Sequence, residues 1–122
     1  MRVDSHRDLL VWQKAMTLVT SCYQLTSRFP TAERYGLSSQ LQRAAVSVPA
    51  NIAEGRGRSS TKAYLNHLSI AAGSLAELDT HIGVAERLGY ITTDQVQLIT
   101  DQLEEVGRML SGLRKSLDSK LS

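Results

Sequence analysis

Apolar residues recur at steps of three and four along most of this 122-residue chain, the spacing that gathers side chains on one side of an α-helix. From Asp8 to about Ser27 two such stripes run together, Leu9, Trp12, Met16, Val19 and Tyr23 beside Val11, Ala15, Leu18, Cys22 and Leu25. A helix apolar on two adjoining faces belongs either at the centre of a bundle or against another subunit. Phe29-Pro30 stops it, because the residue before a proline is driven out of the helical region, and Thr31 to Gly36 forms a connector with room for one helical turn. Ser39 followed by Gln42 has the capping-box arrangement and is expected to start a second helix over 39–55. Ser59, Ser60 and Thr61 offer N-caps for a third over 60–88, with the stripe Tyr64, Leu68, Ala71, Leu75, Leu78, Ile82 and Ala85 and with Gly89 as a left-handed stop. Thr92 with Gln95 opens a fourth over 93–118, whose seam Val96, Ile99, Leu103, Val106, Leu110, Leu113 and Leu117 is the most regular in the chain. Short connections at 56–60 and 89–92 make neighbouring helices antiparallel. The expected fold is all-α, a single-domain antiparallel up-down-up-down four-helix bundle with a polar, flexible tail at residues 1–7.

The pattern is least regular between Ser47 and Arg58. Val48 and Ile52 continue the helical face of Leu41 and Ala45 on both sides of Pro49, which has no amide hydrogen and clashes one turn back. The second helix is therefore expected to bend at Pro49 and to free the Ala45 carbonyl. Asn51 is the one amide in a stretch without charge from Ala44 to Ala53. It is expected to hydrogen-bond backbone groups freed at the bend, its other reading being a ligand contact. The alanines and Ser47 let other backbones come close, so this helix is expected to be the most buried of the four. Gly55 and Gly57 are expected to end it, with Arg56 and Arg58 at the negative end of its dipole and Glu54 one turn before Arg58, where the two can pair.

Composition narrows this picture. A chain that is 42% hydrophobic but only 5% aromatic packs its core with Leu, Val, Ile and Ala. The single Cys22 cannot close an internal disulfide and lies on an apolar stripe, which reads as a buried structural thiol in a reduced, cytoplasmic setting. The longest run free of Asp, Glu, Lys and Arg, Ala63 to Ala76, is 14 residues and includes Asn66 and His67, too short and polar to cross a bilayer. Gln13 and Lys14 directly after Leu9–Trp12 do not fit a signal peptide. The net charge of +2 conceals an asymmetry: residues 1–62 carry nine Lys or Arg against four Asp or Glu, and residues 63–122 carry five against eight. A basic half of this kind is compatible with nucleic acid.

Spacing argues against the chemistries that helical bundles commonly host. No Glu is followed three residues later by His, as a carboxylate-bridged di-metal centre needs. His67 and His81 on one helix are separated by roughly 21 Å of rise, so they cannot share an ion and read as surface or interface residues. An Arg followed by four to six residues and then His, used by the helical ribonuclease bundles that accompany small nucleotidyltransferases, is missing: Arg2 is too close to His6 and Arg58 too far from His67. Gly55 to Ser60 follows a helix rather than a strand and lacks the Gly-Lys-Ser/Thr order of a phosphate loop. What remains is binding. Arg43, Arg56, Arg58 and Lys62 are expected to cluster in and beyond the second helix, with Lys14 nearby, where guanidiniums and the amides opening the third helix would contact phosphate oxygens. No cofactor or metal is expected.

Trp12-Gln13-Lys14-Ala15-Met16, Phe29-Pro30, Glu33-Arg34-Tyr35-Gly36-Leu37, the run Arg43 to Arg58, Gly73-Ser74-Leu75-Ala76-Glu77-Leu78 and Leu88-Gly89-Tyr90 together resemble a known family. It is the family of bacterial four-helix-bundle proteins encoded within intervening sequences of large-subunit ribosomal RNA genes, which includes the accessory variability protein of diversity-generating retroelements. The likeness runs from about Asp8 to Leu117. It implies a bundle that assembles into a five-fold ring, no catalytic residues and, for the retroelement branch, a basic surface that binds nucleic acid and a reverse transcriptase. Asn66 and Ala72 stand where relatives often carry arginine, leaving fewer cations on the third helix. The function expected is that of a non-enzymatic homo-oligomer, a pentamer, binding RNA or DNA weakly through phosphate contacts. The alternative is a protein-interaction scaffold with no nucleic-acid role.

Overall fold

A computed structural model describes residues 5–121. Four helices account for most of them: α1 (Leu10–Thr26), α2 (Leu37–Arg56), α3 (Thr61–Arg87) and α4 (Thr93–Ser119). Residues 1–4 of the expected polar tail lie outside the described residues; the rest of it is ordered. Ser5 accepts a hydrogen bond from the Arg7 amide and opens a 3-10 turn over His6–Asp8, which packs against α1 and α2. His6 lies edge-on to the Trp12 ring at 5.1 Å and the Arg7 guanidinium lies over it at 5.5 Å.

Each helix packs against two others, in the cyclic order α1, α2, α3, α4. Antiparallel neighbours follow from the pairings between them. Ser47 meets Ser74 while Asn51 meets His67 across α2–α3, and Arg114 near the end of α4 reaches Ser69 near the start of α3. The core stripe of α1, Val11, Ala15, Leu18, Cys22 and Leu25, is buried throughout. The second stripe is divided: Leu9, Trp12 and Val19 pack partly against the core, while Met16 and Tyr23 stay exposed. The paired stripes thus mark a helix broadly seated in its own bundle, with the turn at His6–Asp8 covering Trp12. Burial is densest on α2, where eight of 20 residues are buried; on α1, burial of the Cys22 thiol in the core pushes its pKa up to about 12.

The helix ends obey local chemistry, with one exception. Ser60 caps α3 by accepting from the Ala63 amide, and Thr92 and Gln95 form a complete reciprocal capping box on α4. Gly89 takes φ +78°, with Tyr90 N–H donating to Ala85 O and Gly89 N–H to Glu86 O, the paired bonds that close a helix on a left-handed residue. The exception is α2. It starts at Leu37 with no cap from Ser39; Gln42 turns to donate to Thr26 Oγ1 on α1 instead. The cap comes from the preceding turn over Thr31–Glu33, where Glu33 Oε1 accepts from the Leu37 amide at 3.2 Å. The other oxygen of Glu33 accepts from the Tyr90 hydroxyl at 2.8 Å, and Tyr90 lies on Phe29 at 5.5 Å. One carboxylate thus ties the start of α2 to the α3–α4 connection, and it does so between two of the segments that carry the family resemblance. No helix among the described residues is long and apolar enough to cross a membrane.

The Glu33 hydrogen bond, followed by burial and the carboxylate charge, holds the Tyr90 phenol above its ordinary range, and burial does the same for Tyr64. The folded chain therefore keeps phenolic protons at a pH where the unfolded chain has lost them. Stability is expected to be full below about pH 10 and to drain away as the pH rises beyond it. Thermal melts across that window, paired with ultraviolet titration of phenolate absorbance, should show the loss, and Glu33→Gln should bring the Tyr90 titration down.

Candidate nucleic-acid interface

Small residues bring α2 and α3 together more extensively than any other pair of helices. Ala44 and Gly55 of α2 and Ala71 and Ser74 of α3 are buried small residues on the faces that carry this contact. Gly55 decides how close it is: a Cβ there would lie 2.9 Å from both His67 Cβ and Tyr64 Cδ1. Gly55 therefore does not terminate α2, which runs on to Arg56 with Gly57 as its C-cap. It is the position at which α3 crosses against bare backbone.

A ladder of polar side chains runs along the same seam. Ser74 Oγ donates to Ser47 Oγ at 2.8 Å, and Asn51 Nδ2 donates to Ser47 O at 2.9 Å and to Ser47 Oγ at 3.1 Å. Asn51 Oδ1 lies 3.1 Å from His67 Nδ1, while Arg58 Nε donates to His67 Nε2 at 3.2 Å. With Arg58 Nε donating to Nε2, His67 Nδ1 is left to donate to Asn51 Oδ1. The carbonyl that Asn51 satisfies belongs to Ser47 and not to Ala45. The α-helix is unbroken across Pro49, which is buried. Asn51 is thus a cross-helix anchor, and His67 is no surface histidine but a side chain only 14% exposed at the junction of the two helices.

The ladder ends in charge. Arg58 Nη2 reaches Glu54 Oε2 at 3.4 Å, and Glu54 Oε2 lies 3.7 Å from His67 Nε2. Arg58 and Glu54 side chains are about half exposed, and an exposed pair of this kind is worth about 0–1 kcal/mol. It orients Arg58 without withholding it from a competing anion. Arg56, close enough to Tyr64 for its charge to oppose the upward push of burial on that phenol, sits on the same corner, with Lys62 exposed on the first turn of α3. The other two expected cations are elsewhere. Lys14 pairs with Glu105 of α4 at 3.5 Å, on the seam opposite α2–α3. Arg43 precedes Arg56 by more than three helical turns, roughly 20 Å, and faces Tyr23 of α1.

Two cations not anticipated join the corner from the end of the chain. Arg114 Nη2 donates to Ser69 Oγ at 3.3 Å, and Arg114 and Lys115 line a cleft with Leu65 and Ser69 in which Asp118 is the one carboxylate. The antiparallel pairing of α3 with α4 puts them there; nothing in the spacing of α4 distinguishes them from other solvent-facing charges. The basic end of the bundle is thus built from α2, α3 and α4, with Arg56, Arg58 and Lys62 on one side and Arg114 and Lys115 on the other. Among the described residues no group of three or more His, Cys, Asp or Glu is placed to hold a metal ion.

The profile of the 23S rRNA-intervening sequence protein matches residues 7–112. A crystal structure of a protein of unknown function from the S23 ribosomal protein family of Bacteroides thetaiotaomicron superposes with a TM-score of 0.78 at 24% identity, over 87% of this chain and 99% of that one. At that identity the likeness establishes the fold alone. No curated protein matches the chain.

The two glycines of the corner should behave differently on substitution. Gly55→Ala is expected to cost about 1–3 kcal/mol, since its Cβ has no room between His67 and Tyr64. Gly57→Ala meets only ordinary contacts with the Ala53 and Glu54 carbonyls and should stay within about 0.5 kcal/mol of the parent. Asn51→Ala strips His67 Nδ1 of its partner and should cost about 1–3 kcal/mol. Urea denaturation measures all three, and equal effects at Gly55 and Gly57 would contradict the close crossing.

Proposed function

The chain belongs to the 23S rRNA-intervening sequence protein family, and from that premise we propose that it is a non-enzymatic, self-associating helical protein that binds structured RNA or DNA through phosphate contacts at its basic end. The observation that carries this reading is the corner at Arg56, Arg58 and Lys62. From Gly55 to Ala76 the chain has these three cations and no carboxylate, and the corner is presented by a seam that holds its geometry. Preorganised guanidiniums lose little freedom on meeting phosphate and fix orientation without reading sequence. Arg114 and Lys115 widen the footprint along α3. Self-association is supported by the apolar side chains that α1 leaves outside the bundle, Met16 on its second stripe and Leu10 at its start. Copies joined through α1 would multiply basic ends, and linked weak sites bind far more tightly than single ones.

Binding to a mixed-sequence RNA duplex should weaken steeply with salt, because each neutralised phosphate releases counterions. Arg56→Ala/Arg58→Ala should flatten the slope of log affinity against log salt by about 2. An absence of binding at low salt would refute the reading. Sedimentation at micromolar concentration tests the second part: an assembly larger than a monomer is expected, shifted toward monomer by Met16→Glu.

A further inference from the structure

Arg43 stands apart from the basic end, and the structure gives it different company. Two clefts on the α1–α2 face, of about 490 and 470 Å³, join through Tyr23 and Gln42, which line both. Arg34 lines the first and Arg43 the second, and no residue lining either is a carboxylate. Glu33, the nearest acid in the adjoining connector, is committed to the Leu37 amide and the Tyr90 hydroxyl. Among the described residues neither arginine has a carboxylate within ion-pair distance. Tyr23 lies between them with 47% of its surface exposed. Gln42 spends its Nε2 on Thr26, which leaves its amide oxygen able to accept from a donor in the groove.

We propose that this groove binds single-stranded nucleic acid, one base stacking on the Tyr23 ring while the phosphates on either side meet Arg34 and Arg43. An exposed phenol offers a π-face that any base can cover, and flanking guanidiniums track the backbone, the pairing that single-strand sites use. A duplex cannot present an unstacked base to the ring, so the groove selects single strands or loops. Hydroxyls, an amide and two guanidiniums are spread through the lining of both clefts, which suits a ligand that carries phosphate as well as an apolar ring face. The proposal rests on the nucleic-acid reading and adds a second site, roughly 20 Å along α2 from the corner.

Fluorescence anisotropy with a labelled oligouridine and, separately, a blunt RNA duplex tests it. Tyr23→Ala should weaken oligouridine roughly 5- to 150-fold and leave the duplex unchanged. Tyr23→Phe should bind like the parent, and Arg43→Ala should weaken oligouridine alone. Arg56→Ala/Arg58→Ala should act chiefly on the duplex. Unchanged oligouridine affinity in both Tyr23→Ala and Arg43→Ala overturns the groove while the corner stands. Binding of duplex but not oligouridine by the parent does the same. Failure of the parent to bind either RNA removes the nucleic-acid reading as a whole. If Tyr23→Ala shifts the assembly toward monomer in sedimentation, the groove is a contact between copies and the proposal falls.

Discussion

The close crossing of α3 over α2 is the constraint on which the molecule depends. It needs an absent side chain at Gly55, small ones at Ala44, Ala71 and Ser74, and polar groups that satisfy one another where the helices touch. Apolar packing alone would permit the helices to rotate or slide, since hydrophobic contact is non-directional. The hydrogen bonds from Ser74 through Ser47 and Asn51 to His67 are directional and fix both register and rotation. Because the last member bonds Arg58, the packing requirement and the placement of surface charge have one structural cause.

The opposite end of the bundle is secured differently. There a single carboxylate, Glu33, serves both as the cap of α2 and as the partner of Tyr90. Phe29 fills the space beneath the Tyr90 ring. The two ends divide the work: one is closed by the buried Phe29, the partly buried Tyr90 and an acid, the other is open, basic and built of short side chains. That division explains why the segments carrying the family resemblance are scattered along the sequence yet meet in two places.

Four helices, their order and most of their ends were legible because they rest on local rules. Thr92 with Gln95, Ser60 and Gly89 each act within a few residues of themselves, so their spacing carried the answer. The start of α2 did not, since Ser39 and Gln42 had the right spacing but Glu33 captured the Leu37 amide first and Thr26 captured Gln42. Gly55 looked like a helix stop for the same reason that it is not one: glycine serves both where a chain turns and where another chain approaches, and only the fold tells these apart. The candidate site was half legible. Arg56, Arg58 and Lys62 are neighbours in sequence and in space, whereas the roles of Lys14, Arg43, Arg114 and Lys115 depend on which helices face one another. Of the two readings open for His67, surface or interface, the fold selects the second, since its partners Asn51 and Arg58 lie on the other side of a turn.

The ladder also bears on how such a chain tolerates changes of length. One residue added inside Ser47–Arg56 or Thr61–Ser74 would turn everything beyond it by about 100° on a 3.6-residue helix, so the seam contacts beyond it would be lost. A residue added to the connectors at 27–36 or 88–92 leaves that alignment untouched. Insertions and deletions accumulated in divergence should therefore fall in those connectors rather than within the α2–α3 hairpin. The α2–α3 hairpin would pass through divergence at constant length.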